Sequence, residues 1–167
     1  MSSLLDKNEP FHLRDPLPGD LGWIIQQHGQ FYAQLFGWDQ TFEGLVAGIV
    51  AEFTKNFDPE FERCWIAERE GGAIGSVCLV RESDDTARLR LLYVHESARG
   101  LGIGQRLVTE TIKFARDTGY KKIVLWTNGV LLSARHIYES AGFVLIHEEN
   151  KQSFGQDHVA QTWQCDL

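Results

Sequence analysis

The chain has 167 residues, with 16 Lys plus Arg against 23 Asp plus Glu for a net charge of -7 at pH 7. With 43% hydrophobic and 11% aromatic residues it has the composition of one ordinary globular domain able to fill a sizeable core, which excludes a disordered chain, a collagen and a coiled coil. No apolar run reaches the roughly 18 to 20 residues of a membrane span, the start MSSLLDKNEP lacks a signal-peptide layout, and the acidic balance has no basic run to meet a phosphate backbone, so a cytoplasmic protein without membrane or nucleic-acid partners is expected.

The predicted elements alternate between the two hydrophobic periods, the pattern of a mixed α/β domain. Residues 8–14 read as a first strand, and DPLPGD after them is turn chemistry. Leu21, Ile24, Ile25, Phe31 and Leu35 fall at helical spacing over 20–36, with Gly37 as a stop, and Leu45, Val46, Ile49, Val50 and Phe53 mark a second helix over 42–56. Residues 63–69 and 73–81 are rich in β formers and joined by EGG, a hairpin. A strand at 87–94 runs into a glycine-dense break, then a helix over 103–117, an apolar strand at 122–126 and a helix near 131–141. Strand-like FVLIHEE and an alternating tail, HVAQTWQCDL, close the chain. Cys64, Cys78 and Cys165 are widely spaced and form no CxxC, so they read as buried, reduced thiols. The six histidines are scattered singly, and no metal is expected.

The most informative stretch is LLYVHESARGLGIGQRLVTETIKFA, where a strand passes through Arg99, Gly100, Gly102 and Gly104 straight into an amphipathic helix. The first N–H groups of a helix have no internal partner, and the helix dipole adds roughly half a positive charge there, so the pattern makes an anion cradle. Glycine lets the backbone come close, and Arg99 adds a planar fork of donors suited to phosphate oxygens. Glycines that serve only a tight turn are the plainer alternative. A dinucleotide loop needs a third glycine where Gln105 and Arg106 stand, and no GK[ST] follows for a nucleotide triphosphate loop.

YVHESARGLGIGQRLV resembles the pyrophosphate loop of the GCN5-related N-acetyltransferases, whose pattern is [QR]xxGx[GA] after the fourth strand, with Arg99, Gly102 and Gly104 matching. LLSARHIYESAGFVLI resembles that family's second signature, AxxxYxxxGF, through Ala134, Tyr138, Gly142 and Phe143. LWTN, SARHIYESAGF and SFGQDHVAQTW also look like the acetyltransferase half of chains fused behind a winged-helix regulator of the multiple-antibiotic-resistance type; the regulator half has no counterpart in these 167 residues. The resemblance implies a mixed, mostly antiparallel sheet of six to seven strands flanked by four helices. It divides the single domain into an acceptor-side segment at about 8–62, an acetyl-CoA-binding core at 63–149 and a closing strand at 150–167.

The resemblance further implies acetyl-CoA as acyl donor, held by Leu92, Tyr93, Val94, Arg99, Gly100, Leu101, Gly102, Ile103, Gly104, Gln105 and Ser133. Leu131 stands where the family often has asparagine, and Asn128 is read as the polar contact in its place. Tyr138 shares a helix face with Leu131, Ala134 and Ala141. By resemblance it is the general acid for the departing thiolate, and by periodicity alone it is a core aromatic. The strand at 87–94 carries no carboxylate, which leaves Glu43, Glu52, Glu68 or a water chain as base. The implied reaction is direct attack on acetyl-CoA by the primary amine of a small molecule in a ternary complex; homodimerisation is compatible with it. A non-catalytic acyl-CoA sensor is the alternative. Acidic charge favours a cationic amine, whereas Arg88 and Arg90, alternating onto one strand face, suit an acceptor carboxylate or are merely paired surface arginines.

Overall fold

The two periods resolve, in a computed structural model that describes residues 10–167, into β1 (His12–Arg14), α1 (Asp20–Phe36), α2 (Gln40–Lys55), β2 (Arg63–Arg69), β3 (Gly72–Arg81) and β4 (Thr86–Val94). A single 3-10 turn (Glu96–Ala98) then leads to α3 (Ile103–Thr118), β5 (Lys122–Asn128), α4 (Leu132–Ala141), β6 (Val144–Ser153) and β7 (Gln156–Asp166). The strands form one sheet in the order β1-β2-β3-β4-β5-β7-β6, antiparallel everywhere except between β4 and β5. This is the mixed, mostly antiparallel architecture expected from the sequence. Residues 8 and 9 of the expected first strand lie outside the described residues.

Period-2 alternation places the sheet between two helical layers. Trp65 and Ala67 of β2, Val77 and Leu79 of β3, and Ala87 and Leu89 of β4 pack against Ile103, Leu107, Val108 and Ile112 of α3. The intervening Cys64, Ile66 and Cys78 face Ile24 of α1 and Phe53 of α2. Each such side chain contributes roughly 1.5 to 3 kcal/mol when fully buried. All three cysteines are buried and unpaired. Gly37 stops α1 in the left-handed conformation (φ 70°), and Asp39 starts α2 by accepting from the Thr41 amide at 3.0 Å. A third cluster, Trp38, Phe42 and Val46 with Tyr32, Trp126 and Phe154, ties α1 and α2 to β5 and the β6–β7 hairpin.

That hairpin is longer than the sequence suggests, because β6 runs on through polar NKQS, where no burial pattern marks a strand. Ladder bonds to β7 hold it instead. The departure that matters most is in β4. Leu91 and Leu92 together oppose Val77 on β3, a bulge in which Leu91 takes φ 58° and its carbonyl accepts from the Ser76 hydroxyl at 2.9 Å. On its other edge β4 pairs with β5 only through Thr86, Ala87 and Arg88, opposite Lys122, Ile123 and Val124. Beyond Arg88 the two strands part. No helix among the described residues is long and apolar enough to cross a membrane.

His28 on α1 is buried, with Nδ1 donating to the Ile24 carbonyl at 2.8 Å and the ring stacked on Tyr32. Burial pushes it from 6.5 down to about 4. The unfolded chain therefore binds a proton below pH 6.5 that the folded protein refuses, and stability falls as pH drops from about 6.5 to 4. The loss is about 3 kcal/mol at most. Urea unfolding at pH 7.5 and 4.5 should show this loss, and His28→Gln should flatten it.

Candidate active site

The parting of β4 from β5 opens a cavity of about 880 Å3 whose walls include Leu89 to Val94 on one strand and Trp126 and Thr127 on the other. Leu92, Tyr93, Val94, Arg99, Gly100, Gly102, Ile103, Gly104, Gln105, Ser133 and Tyr138, all singled out in the sequence, line it. Leu101 and Asn128 do not. Leu101 turns outward to a shallow depression beside Pro10 and His12. Asn128 is buried, and its Oδ1 accepts from the Val130 amide at 3.1 Å, so the side chain holds the β5–α4 turn. Leu131 takes the place on the cavity wall.

Gly100 (φ 82°) and Gly102 (φ 75°) both adopt left-handed conformations that turn the chain from β4 into α3. A Cβ at either would meet nothing within 4 Å, so backbone there is open to a ligand. Gly102 caps α3 without a side chain, and no acidic residue stands in the first turn, which leaves the positive end of the helix uncompensated. Gly104 has another purpose: a Cβ there would lie 2.7 Å from Ile137 Cδ1, so this glycine lets α4 approach α3. The three glycines therefore divide between open backbone at the positive end of α3 and helix packing. Arg99 lies over the Phe31 ring at 5.4 Å, at the same mouth.

Tyr138 is 5% exposed and packs on Phe143, with ring centroids 5.7 Å apart. Burial, with Tyr32 close by, raises its pKa above the ordinary tyrosine value, so at neutral pH it is a donor. None of the carboxylates proposed as base lines the cavity. Glu43 lies over Gly29 of α1, Glu52 accepts from Asn56, and Glu68 is tied to Arg14 at the β1 side of the sheet. The hairpin supplies what the sequence did not flag: Lys151, Phe154 and His158 line the cavity. The His158 ring sits among Trp38, Phe154 and Trp126, with centroids at 5.0, 5.7 and 6.0 Å. Neither of its nitrogens has a partner among the described residues. Burial and Lys151 lower its pKa, with Asp157 opposing, so the ring is held neutral. In the sequence it is one histidine in a polar stretch, with no motif to mark it.

Residues 22–143 match the model of the acetyltransferase (GNAT) family. Human N-acetyltransferase 8B is 39% identical over 112 residues, covering 64% of this chain and 49% of the human protein, so the chain spans about half the length of that relative. An uncharacterized N-acetyltransferase of Schizosaccharomyces pombe is 32% identical over 131 residues, 76% of this chain and 78% of the yeast protein. Among solved structures, a putative acetyltransferase from Salmonella typhimurium, determined with its cofactor acetyl-CoA, superposes with a TM-score of 0.76 at 18% identity, covering 95% of this chain and 94% of that one.

An imidazole with two unpartnered, shielded nitrogens costs stability wherever it has only a structural role. His158→Phe keeps the ring stack and removes both nitrogens, so the melting temperature should hold or rise. A loss above about 1 kcal/mol in urea unfolding, the size of one hydrogen bond, would mean that the nitrogens are satisfied in solution.

Proposed function

We propose, from the premise that the chain belongs to the GNAT acetyltransferase family, that it transfers an acetyl group from acetyl-CoA to the primary amine of a small molecule, with donor and acceptor bound together. The observation that carries this reading is the convergence on one cavity of the uncapped α3 terminus, the open edge of β4 and the Tyr138 ring. Acetyl-CoA supplies an activated thioester carbonyl. Its polyanionic end fits Arg99 and the backbone of Gly100, Gly102 and Ile103, where charge and open space coincide. Peptide groups of Leu92, Tyr93 and Val94 lie on the edge that β5 leaves unpaired, so they are available to pair with an extended amide-bearing arm. The division of labour along the chain follows: α1 and α2 wall the acceptor side, and residues 63–149 carry the donor site.

Tyr138 is assigned to the departing sulfur. Because a thiol ionises near 8.5 and burial holds the phenol above its ordinary value, complete proton transfer runs uphill. A hydrogen bond to the developing thiolate is the larger part of its contribution. The base assigned here is His158, since its nitrogens are unpartnered and the ring is kept neutral.

Tyr138→Phe should lower kcat by roughly 10- to 1,000-fold in thiol-release assays while acetyl-CoA binding and melting temperature stay near the parent's. Since the phenol is raised above 10, its ionisation should add no falling limb to the parent's rate below about pH 10. A parent-like rate for the variant across pH would move the acid elsewhere. His158→Phe should lose turnover without losing stability. Gly102→Ala, strained at φ 75°, should cost about 1 kcal/mol of stability and weaken acetyl-CoA roughly tenfold by calorimetry.

A further inference from the structure

The chain is acidic, 23 carboxylates against 16 Lys plus Arg, yet its main cavity has no Asp or Glu on its walls. It has four cations instead: Arg88, Arg90, Arg99 and Lys151. Arg99 stands at the glycine turn. Arg90 lies four residues before Val94, roughly 10 Å back along the strand because the Leu91 bulge takes up one step, and so away from the phosphate end. On the basis of the acetyltransferase reading above, we propose that the acceptor is an amino-acid-like molecule, a small amine that carries a carboxylate on an apolar body, with the carboxylate held by Arg90.

Three observations single out Arg90. Arg88 beside it is held by Glu82, at 2.9 Å for the outer nitrogen, and Lys151 reaches Glu149 at 3.3 Å. Arg90 is half-buried and has no hydrogen bond or ion pair among the described residues, so it is not the paired surface arginine that the sequence also allowed. Burial and the neighbouring Arg88 push its pKa down, with Glu82, which is bonded to Arg88, opposing at longer range. Such a group leaves a planar fork of donors unmatched, and a carboxylate is the anion that fits it through two parallel bonds.

The rest of the wall defines the body of the molecule. Phe42, Trp126 and Phe154 present aromatic surface beside the cations, which suits an apolar side chain and rejects a second positive charge. The same cations lower the pKa of an amine placed among them, which increases the neutral, nucleophilic fraction. A cationic polyamine, which the acidic composition would favour, would be repelled here.

The test uses matched amines that differ only in the anion: L-phenylalanine, L-phenylalaninamide and phenethylamine, with the corresponding leucine set. In thiol-release assays with acetyl-CoA, at least one amino acid should exceed its amide and its decarboxylated amine at least tenfold in kcat/KM. The less basic amine of the amide biases the comparison against this outcome. Arg90→Gln should bring the ratio close to one, through a higher KM for the acid alone, and Arg90→Lys should restore part of it. A second arm needs no turnover: with CoA present, calorimetry should show N-acetyl-L-phenylalanine or N-acetyl-L-leucine binding at least tenfold tighter than its amide, with the difference lost in Arg90→Gln.

The proposal is overturned if neutral amines match or exceed the acids, if Arg90→Gln keeps the preference, or if acid and amide products bind alike or neither binds. Turnover of the neutral amines alone would remove the carboxylate and leave the acetyltransferase reading standing. Absence of thiol release from every amine, in protein that binds acetyl-CoA, would remove the acetyltransferase reading. The product-binding arm would then still decide whether Arg90 holds a carboxylate.

Discussion

The site depends on one constraint, the early end of the parallel pairing between β4 and β5. After Arg88 opposite Val124 the strands separate, and a continuous sheet becomes a cleft with a backbone edge along one side. Buried peptide groups without partners are costly, so a fold keeps such an edge only where something else satisfies it. The bulge at Leu91 contributes by breaking the register with β3 at the same level. Ser76 repairs part of the cost by bonding the Leu91 carbonyl. The result is a strand tied to β5 only at Thr86 to Arg88, still paired with β3 as far as Val94, and lining the cavity from Arg88 to Val94.

Everything else at the site is placed relative to that edge. β4 leads through the 3-10 turn into the left-handed glycines, so the positive end of α3 meets the cavity at the end of the open strand. Gly104 lets Ile137 close on α3, which brings α4, and Tyr138 with it, over the other side of the opening. Tyr138 is at once packed against Phe143 and exposed to the cavity wall. The two readings the sequence offered for it, core aromatic and site residue, are thus compatible.

The sequence made the elements legible because burial on two faces writes both periods into it. Trp65 and Ala67 alternate with Cys64 and Ile66, and Leu107 and Val108 recur with Ile112 at helical spacing. The convergence of Leu92 to Val94, Arg99 and the glycines on one cavity wall was legible too, since it depends on backbone and glycine at fixed spacing. Side-chain direction was not. Asn128 sits one step from the cavity, yet its carboxamide turns to the Val130 amide, and Leu101 faces outward although both its neighbours line the wall. The carboxylates considered as base, beside a water chain, lie off the cavity wall for the same reason: nothing in a sequence says whether Glu43 or Glu52 looks inward. His158, Lys151 and Phe154 reach the cavity from the tip of a polar edge hairpin, whose position follows from ladder bonds with β7 and from aromatic contacts to α2. Neither leaves a periodic signal.

Charge is the clearest case of a composition misleading about a site. A net -7 suggests a protein that attracts cations, but net charge acts at long range, and at physiological salt the field of exposed charges fades over about 8 Å. Inside a cleft the nearest groups decide, because unit charges 4 Å apart at an effective dielectric near 20 interact by about 4 kcal/mol. Here two carboxylates beside the cavity's cations are already engaged, Glu82 by Arg88 and Glu149 by Lys151, while Arg90 has no hydrogen bond or ion pair among the described residues. An anion approaching this protein therefore meets weak, screened repulsion outside and fixed, partly desolvated cations within. The sign of the site is set by which charges lack partners, and that is a property of the fold.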